Sequence, residues 1–542
     1  MDARFHVVAI AFSLCTGTSA LMAQQEPPPL VTAKEIVDGL PADGSRWLTF
    51  GGDYGNQRHS PLTQITSENV ESLVSQWTFQ TGVLGRFETT SLLRDNVLYV
   101  TGPQNIAWAI DARSGRQIWR YRRELPPDLT ACCGLVNRGF AMLGDKLYMA
   151  TLDAHVIALD RVTGSVVWDA TLQDHTIGYS ATIAPVAVKD KVIVGVAGGE
   201  YGIRGFIDAY DAETGERAWR FYTIPAPGEA GNDTWSGDSW KTGGASVWVT
   251  GAYDPEQNLL MYGIGNPGPD YYGSIREGDN LYSNSLVALD ADTGTLRWHY
   301  QFTPHDVHDW DATEVPILAD LPIAGQMRKV VMFANRNGFY YTLDRTTGTP
   351  IVAKPYVTTT WAKEIGADGR PVLLPGNVPS EEGTFTCPDL TGGTNFWQPS
   401  FDPATRTFFV NAREVCMTYY AWKPEYVPGE RFTGGAGQRV DSVNSPAYGA
   451  LRALDPATGE RKWEFRYLTP STAGLLTTAS GLVFTGDADG NVIALDSRSG
   501  TLLWSYQMGA RLHGTSATTY MVDGRQYVLV PAGTTLTAWA LP

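Results

Sequence analysis

Two short stretches hold the side chains best suited to chemistry. In "TPHDVHDWDATEVPIL", His305 and His308 stand in His-x-x-His spacing ahead of Asp309 and Asp311. Imidazole nitrogens and a carboxylate are zinc donors. If the stretch is a strand, however, residues three apart point to opposite faces and cannot easily share one ion. In "ACCGLVNRG", Cys132 and Cys133 are immediate neighbours in a chain with five cysteines. A disulfide between them closes a tight ring and strains the enclosed peptide, a cost of roughly 1–3 kcal/mol that folds carry where function needs it. The plainer alternative is two unrelated thiols. Elsewhere "GGEYGIRG" and "GIGNPGPD" set Glu200 and Asn266 among glycines, where backbone can approach a ligand closely. Their oxygens suit a hard cation such as calcium; turn capping is the competing use.

Compartment decides what the cysteines can do. Arg4 precedes an apolar run from Val7 to Leu14, and small residues follow to Ala20 or Ala23. That is the layout of a secretory signal peptide, too short to span a bilayer. Residues 1–23 are expected to be removed and 24–542 exported as one domain. Cleavage removes Cys15 and leaves four cysteines in an oxidising compartment, which favours disulfides over free thiols or a zinc cage. The natural pairs are Cys132 with Cys133 and Cys387 with Cys416. A formal charge of −16 speaks against nucleic acid or anionic lipid as a partner and is better matched by a basic redox protein.

A repeated phrase describes the elements that must position these residues. "AIDARSGRQIW", "ALDRVTGSVVW", "AYDAETGERAW", "ALDADTGTLRW", "ALDPATGERKW" and "ALDSRSGTLLW" end at Trp119, Trp168, Trp219, Trp298, Trp463 and Trp504, and "TLDRTTGTPI" lacks the tryptophan. Their aspartates, at 111, 160, 211, 290, 344, 455 and 496, are 49, 51, 79, 54, 111 and 41 residues apart. The short gaps are the propeller period. Each unit reads as a strand ending in Ala-Leu-Asp, a turn where Asp caps backbone amides and Gly supplies positive φ, then a strand carrying a tryptophan able to wedge between neighbouring units. Each long gap has room for a degenerate unit or a large insertion. The chain ends in "YVLVPAGTTLTAWALP", another strand pair. The expected fold is all-β, an eight-bladed β-propeller closed between its termini so that no sheet edge is exposed.

Ala-x-Asp-x-x-Thr-Gly-x-x-x-Trp is the tryptophan-docking repeat of the quinoprotein dehydrogenases. From about Trp47 to the C-terminus the chain resembles the PQQ-dependent alcohol dehydrogenases, the methanol and ethanol dehydrogenases that use pyrroloquinoline quinone (PQQ). Outer-membrane assembly scaffolds share the repeat without a cofactor, so function must be argued from the site.

The resemblance implies that site residue by residue. Cys132 and Cys133 would lie on one face of PQQ and Trp248, in "GGASVWVTGAYDP", on the other. Arg138 would hold a PQQ carboxylate. Thr182 in "YSATIAP" and Glu88 in "GRFETTSLL" match hydrogen-bonding positions around the cofactor, and Gly198 and Gly199 match its close backbone neighbours. Arg336 in "NRNGFYYTLD" fits a cation near the quinone oxygens, and Asn395 in "GGTNFW" an in-plane donor. Glu200, Asn266 and Asp309 match metal ligands, with Asp309 also the catalytic base.

Asp311 speaks to the metal. Calcium members of the family carry Ala, Ser or Thr there, and lanthanide members a second Asp. Three carboxylates suit a trivalent ion by charge matching, and a stronger Lewis acid polarises a carbonyl further. One lanthanide ion is expected, with calcium as the alternative. His308 departs from the family's usual aromatic, which leaves the substrate-side wall open. Cys387 and Cys416 match a second family disulfide, whose loop of about 30 residues would be worth roughly 3–4 kcal/mol in the chain-entropy model.

The implied function is periplasmic oxidation of an alcohol to an aldehyde or ketone. No Cys-x-x-Cys-His haem attachment occurs in the chain, so a separate cytochrome c is the expected electron acceptor. The alternatives are a calcium-dependent quinoprotein acting on a larger polyol, polymer or secondary alcohol, and a non-catalytic propeller scaffold.

Overall fold

The computed structural model describes residues 28–443 and 445–542. The signal-peptide expectation and Cys15 lie outside them. The chain is all-β: apart from one short helix, Ala33–Val37, and scattered 3-10 turns, its described elements are strands. Eight sheets are built on four antiparallel strands each, and one of them gains a short parallel strand, His59–Ser60, against Leu476–Thr478. Two smaller sheets lie between 362 and 440. Val74–Gln80, from the N-terminal part of the chain, pairs with the C-terminal Thr535–Ala540, so one sheet joins early and late segments of the chain.

The repeat explains itself at atomic level. The alanine of each Ala-x-Asp lies directly across the ladder from the tryptophan: Ala109 from Trp119, Ala209 from Trp219, Ala453 from Trp463. A small residue there makes room for the indole. The register then shifts by a bulge and the aspartate begins the turn. Asp160 Oδ1 accepts from the amides of Val162 and Thr163, and Asp211 does the same for Glu213 and Thr214. The turn glycine, Gly164 or Gly215, sits at φ +72° or +73°.

Each tryptophan reaches the following unit. Trp119 Nε1 donates to the Arg161 carbonyl and Trp219 Nε1 to that of Ala291, at 3.1 and 3.2 Å. A β-carbon on Gly164 would lie 2.8 Å from the Trp119 ring, so the glycine serves both the turn and the stacking. Where the fifth copy lacks its tryptophan, Gly459 of the next unit packs on Lys354 and Val352 instead. The long gaps hold insertions rather than extra units: 223–251 leads into the sheet of Asp290, and the two small sheets fall within the gap before Asp455.

Middle strands such as Ile106–Asp111 are buried on both faces, whereas the fourth, Gln117–Arg122, buries only Trp119. That is why the repeat's Ala-x-Asp strand is a continuous apolar run. No helix among the described residues is long and apolar enough to cross a membrane.

Candidate functional site

The chemistry-bearing residues occupy two kinds of place, both at the same strand ends. Arg138, Thr182 and Trp248 lie on segments entering the first strand of a sheet, and Glu200, Asn266 and Arg336 on connections between its second and third strands. Entering segments are tied side by side, Thr90 N to Arg138 O and Arg138 N to Thr182 O, each at 3.1 Å. The backbone bearing Arg138 is thereby fixed before its side chain does anything.

A cavity of about 1080 Å³ opens among them. Cys132, Cys133, Arg138, Thr182, Glu88 and Gly198 line it, and so do Glu200, Trp248, Asp309, Asp311, Arg336 and Asn395. Gly199 and Asn266 are not among the lining residues, but Gly199 adjoins Gly198 in the chain and Asn266 donates its backbone amide to Asp311. Cys132 and Cys133 are joined as a disulfide, as are Cys387 and Cys416. Cys133 takes φ +68° and its carbonyl accepts from Arg86 Nη1 at 3.0 Å. Ligand atoms of Glu200 and the two neighbouring cysteines lie within 4.8 Å of one another, but disulfide sulfurs carry no thiolate, so this trio holds no zinc.

Two guanidiniums flank the indole of Trp248. Arg138 lies 4.8 Å from its ring centre and Arg336 5.5 Å. Arg138 pairs with Glu88 at 2.8 Å and donates to Thr182 Oγ1 at 2.5 Å. Arg336 pairs with Asp311 at 2.9 Å, donates to the Asp309 carbonyl at 3.0 Å, and contacts Asn395 Oδ1 at 3.2 Å. Buried Nε atoms on both arginines have no protein acceptor. The amide nitrogen of Asn395, expected to point at the cofactor, donates to the Thr391 carbonyl.

The acidic wall is assembled from loops. Asp311 accepts from the Asn266 amide at 2.8 Å and from Trp248 Nε1 at 3.2 Å. A β-carbon on Gly265 would sit 2.6 Å from Asp311 Oδ1, so glycine is required for that approach. Asp309 takes φ +62°, a left-handed conformation that aspartate tolerates better than most residues. Asp306 holds its loop there, accepting from the amides of His308 and Trp310 at 3.0 and 2.8 Å. Tyr271 donates to Asp309 Oδ2 at 3.4 Å. Burial pushes the carboxyls of Glu200, Asp309 and Asp311 above their ordinary range, and they repel one another. A cation among them would reverse that.

Residues 303–316 form this loop and not a strand, and the His-x-x-His zinc reading fails. His308 Nε2 donates to the Asn377 carbonyl at 2.7 Å while its ring stacks 4.2 Å from Trp310. His305 Nδ1 is held by the Gly278 carbonyl at 2.8 Å. His308 is not among the residues that line the cavity.

Several participants escaped the sequence reading. Arg86, Arg511 and His513 line the cavity from loops without periodicity. Glu314, buried beneath Arg336, accepts its backbone amide at 3.0 Å. Asp270 lies within "GIGNPGPD", the stretch that marked Asn266.

The donor set fits PQQ and a hard cation: a planar, polyanionic quinone finds an indole face, two buried arginines with unmet donors and a disulfide, beside oxygen ligands. Known proteins agree. The family described as "PQQ: Glucose/ethanol/alcohol dehydrogenase, beta-propeller domain" matches residues 47–372 and 360–528. The quinoprotein alcohol dehydrogenase PedH of Pseudomonas putida is 38% identical over 550 residues, covering 96% of this chain and 91% of that protein. A lanthanide-dependent methanol dehydrogenase of Methylacidiphilum fumariolicum is 36% identical over 534 residues, covering 93% and 87%. The structure of a europium-containing methanol dehydrogenase superposes with a TM-score of 0.89 at 33% identity, over 94% of this chain and all of that one. On its matched length and these identities, the chain belongs to the PQQ-dependent family of glucose, ethanol and alcohol dehydrogenases.

Proposed function

We propose that this protein is a periplasmic PQQ-dependent alcohol dehydrogenase that works with a lanthanide ion and passes electrons to a separate cytochrome c. In this reading the eight four-stranded sheets are eight propeller blades docked by tryptophans, following export on the N-terminal signal. One observation carries the site: the disulfide, Trp248, Arg138 and Arg336 share a single cavity with Glu200, Asp309 and Asp311. When bound, PQQ supplies the two-electron acceptor for an alcohol's C–H hydride and the metal ion supplies Lewis-acid polarisation.

The chain's own residues do the rest. Cys132–Cys133 and Trp248 would bound the cofactor's faces, and Arg138 and Arg336 would neutralise its oxygens. Thr182 and Glu88 orient Arg138. Glu200, Asn266, Asp309 and Asp311 would hold the ion. Asp309 Oδ takes the hydroxyl proton as general base; Tyr271 and the Asp306-pinned loop aim it. The presence of Asp311 beside Glu200 and Asp309 favours a trivalent ion over calcium.

A calcium enzyme acting on a larger polyol, polymer or secondary alcohol is the second reading, motivated by His308 standing where the family usually carries an aromatic. A scaffold would have no use for buried arginines and carboxylates arranged this way. The test is reconstitution with PQQ and lanthanum followed by dye-linked oxidation of an alcohol panel. Turnover that disappears in Asp309→Asn, with cofactor absorbance retained, supports the assignment. Undiminished turnover in that variant overturns Asp309 as base.

A further inference from the structure

A fourth carboxylate stands against the proposed metal ligands and belongs to none of them. Asp270 is 2% exposed. Its charged neighbours are Glu200, Asp309, Asp311 and Arg276. Arg276 is committed elsewhere: it donates to the carbonyls of Pro269 and Asp306 and to Asn280 Oδ1. A buried carboxylate without a bonded cation is costly, so its retention in the wall of an acidic pocket needs a cause.

Its hydrogen bond supplies one. Asp270 Oδ1 lies 3.0 Å from the side-chain nitrogen of Asn266, and that same atom is 3.4 Å from the Pro267 carbonyl. The Pro267 carbonyl can only accept, so the atom facing it is the amide NH2, which also donates to Asp270. The other end of the amide, Oδ1, is thereby turned away from Asp270, and no described residue donates to it. The Asn266 backbone amide donates to Asp311 Oδ1 at 2.8 Å. Asparagine can present either oxygen or nitrogen to a cation. Here one carboxylate fixes which.

We infer that Asp270 is a positioning residue of the metal site: it locks the Asn266 amide with its oxygen toward the ion and adds a fourth negative charge that favours trivalent over divalent cations. The inference rests on the metal assignment proposed above. An asparagine at 270 would leave the orientation of Asn266 undetermined, because an amide can donate or accept.

The probe is terbium(III), excited through tryptophan, added to PQQ-loaded wild-type protein, Asp270→Asn and Asp270→Ser, with calcium as competitor. Luminescence lifetimes in H2O and D2O count the waters on the ion. Both variants should bind terbium roughly 10–100-fold more weakly and lose less affinity for calcium. The bound ion should gain about one water in place of the Asn266 oxygen. The serine variant keeps the test alive should the asparagine variant fail to fold. Variants with wild-type terbium affinity, calcium competition and hydration overturn the role of Asp270 alone. Wild-type protein that takes up no terbium overturns the metal assignment itself, and this inference with it.

Discussion

Two sets of acidic residues do opposite work in this molecule. The repeat aspartates spend their oxygens on the turn that follows: Asp211 Oδ1 accepts from two backbone amides and the Thr214 hydroxyl, and the amide of Thr214 holds its carboxyl below the usual range. Asp290, held chiefly by Arg297, is lowered as well. In the cavity wall the same side chain is buried and crowded by its own kind, and Asp309 and Asp270 are pushed well upward by burial and neighbouring carboxylates. A carboxylate surrounded by donors completes the protein. One surrounded by carboxylates is completed by something the protein binds.

Substitutions should separate the two sets. Asp309→Asn should lower turnover of the reconstituted enzyme by about a hundredfold or more and leave melting temperature nearly unchanged, as steady-state kinetics and calorimetry would show. Asp311→Ala should cost at least about tenfold in lanthanum affinity and far less in calcium affinity, read by titration of PQQ-loaded protein. Asp211→Ala, by contrast, should cost about 1 kcal/mol of stability in urea unfolding with kcat unchanged. A large loss of turnover in that variant would break the distinction.

Burial marks the basic side of the cavity too. His513, close to Arg86 and Arg511, is pushed down to about 4, first by burial and then by those cations, which outweigh the Glu88 carboxyl 3.5 Å away. An unfolded histidine titrates near 6.5. Between these values the unfolded chain binds the proton and the folded one does not, so stability falls as pH drops through 6.5 toward 4. The cofactor-free protein should lose about 2–3 kcal/mol over that window relative to His513→Asn. Parallel melting curves for the two proteins would contradict it. A further effect bears on the ring: Trp219→Ala should cost about 2 kcal/mol, because its indole is only partly buried and its one hydrogen bond reaches Ala291.

Much of the ring could be read from sequence because its rules are local. Alanine opposite tryptophan, aspartate two residues on and glycine at positive φ fall within one short phrase, and the fold repeats it unit after unit. The insertions could not be read, since gap length is the same for a hidden unit and a long loop. At the site, glycines mark Glu200 and Asn266; Glu200 lines the cavity, and the Asn266 backbone amide donates to the lining residue Asp311. His305 and His308 misled because spacing carries meaning only with a conformation, and theirs is a loop pinned by Asp306. Asp270 was overlooked because "NPGPD" reads equally well as a turn; its burial comes from segments far away in sequence, among them the loop bearing Asp306, to which Arg276 ties Pro269.

The central claim is that the acidic wall is built for a trivalent ion serving PQQ. Metal-stripped protein given PQQ, with either lanthanum or calcium, and assayed by dye-linked alcohol oxidation tests it most directly. Turnover with lanthanum and little or none with calcium is the expected result. Equal or faster turnover with calcium would contradict it.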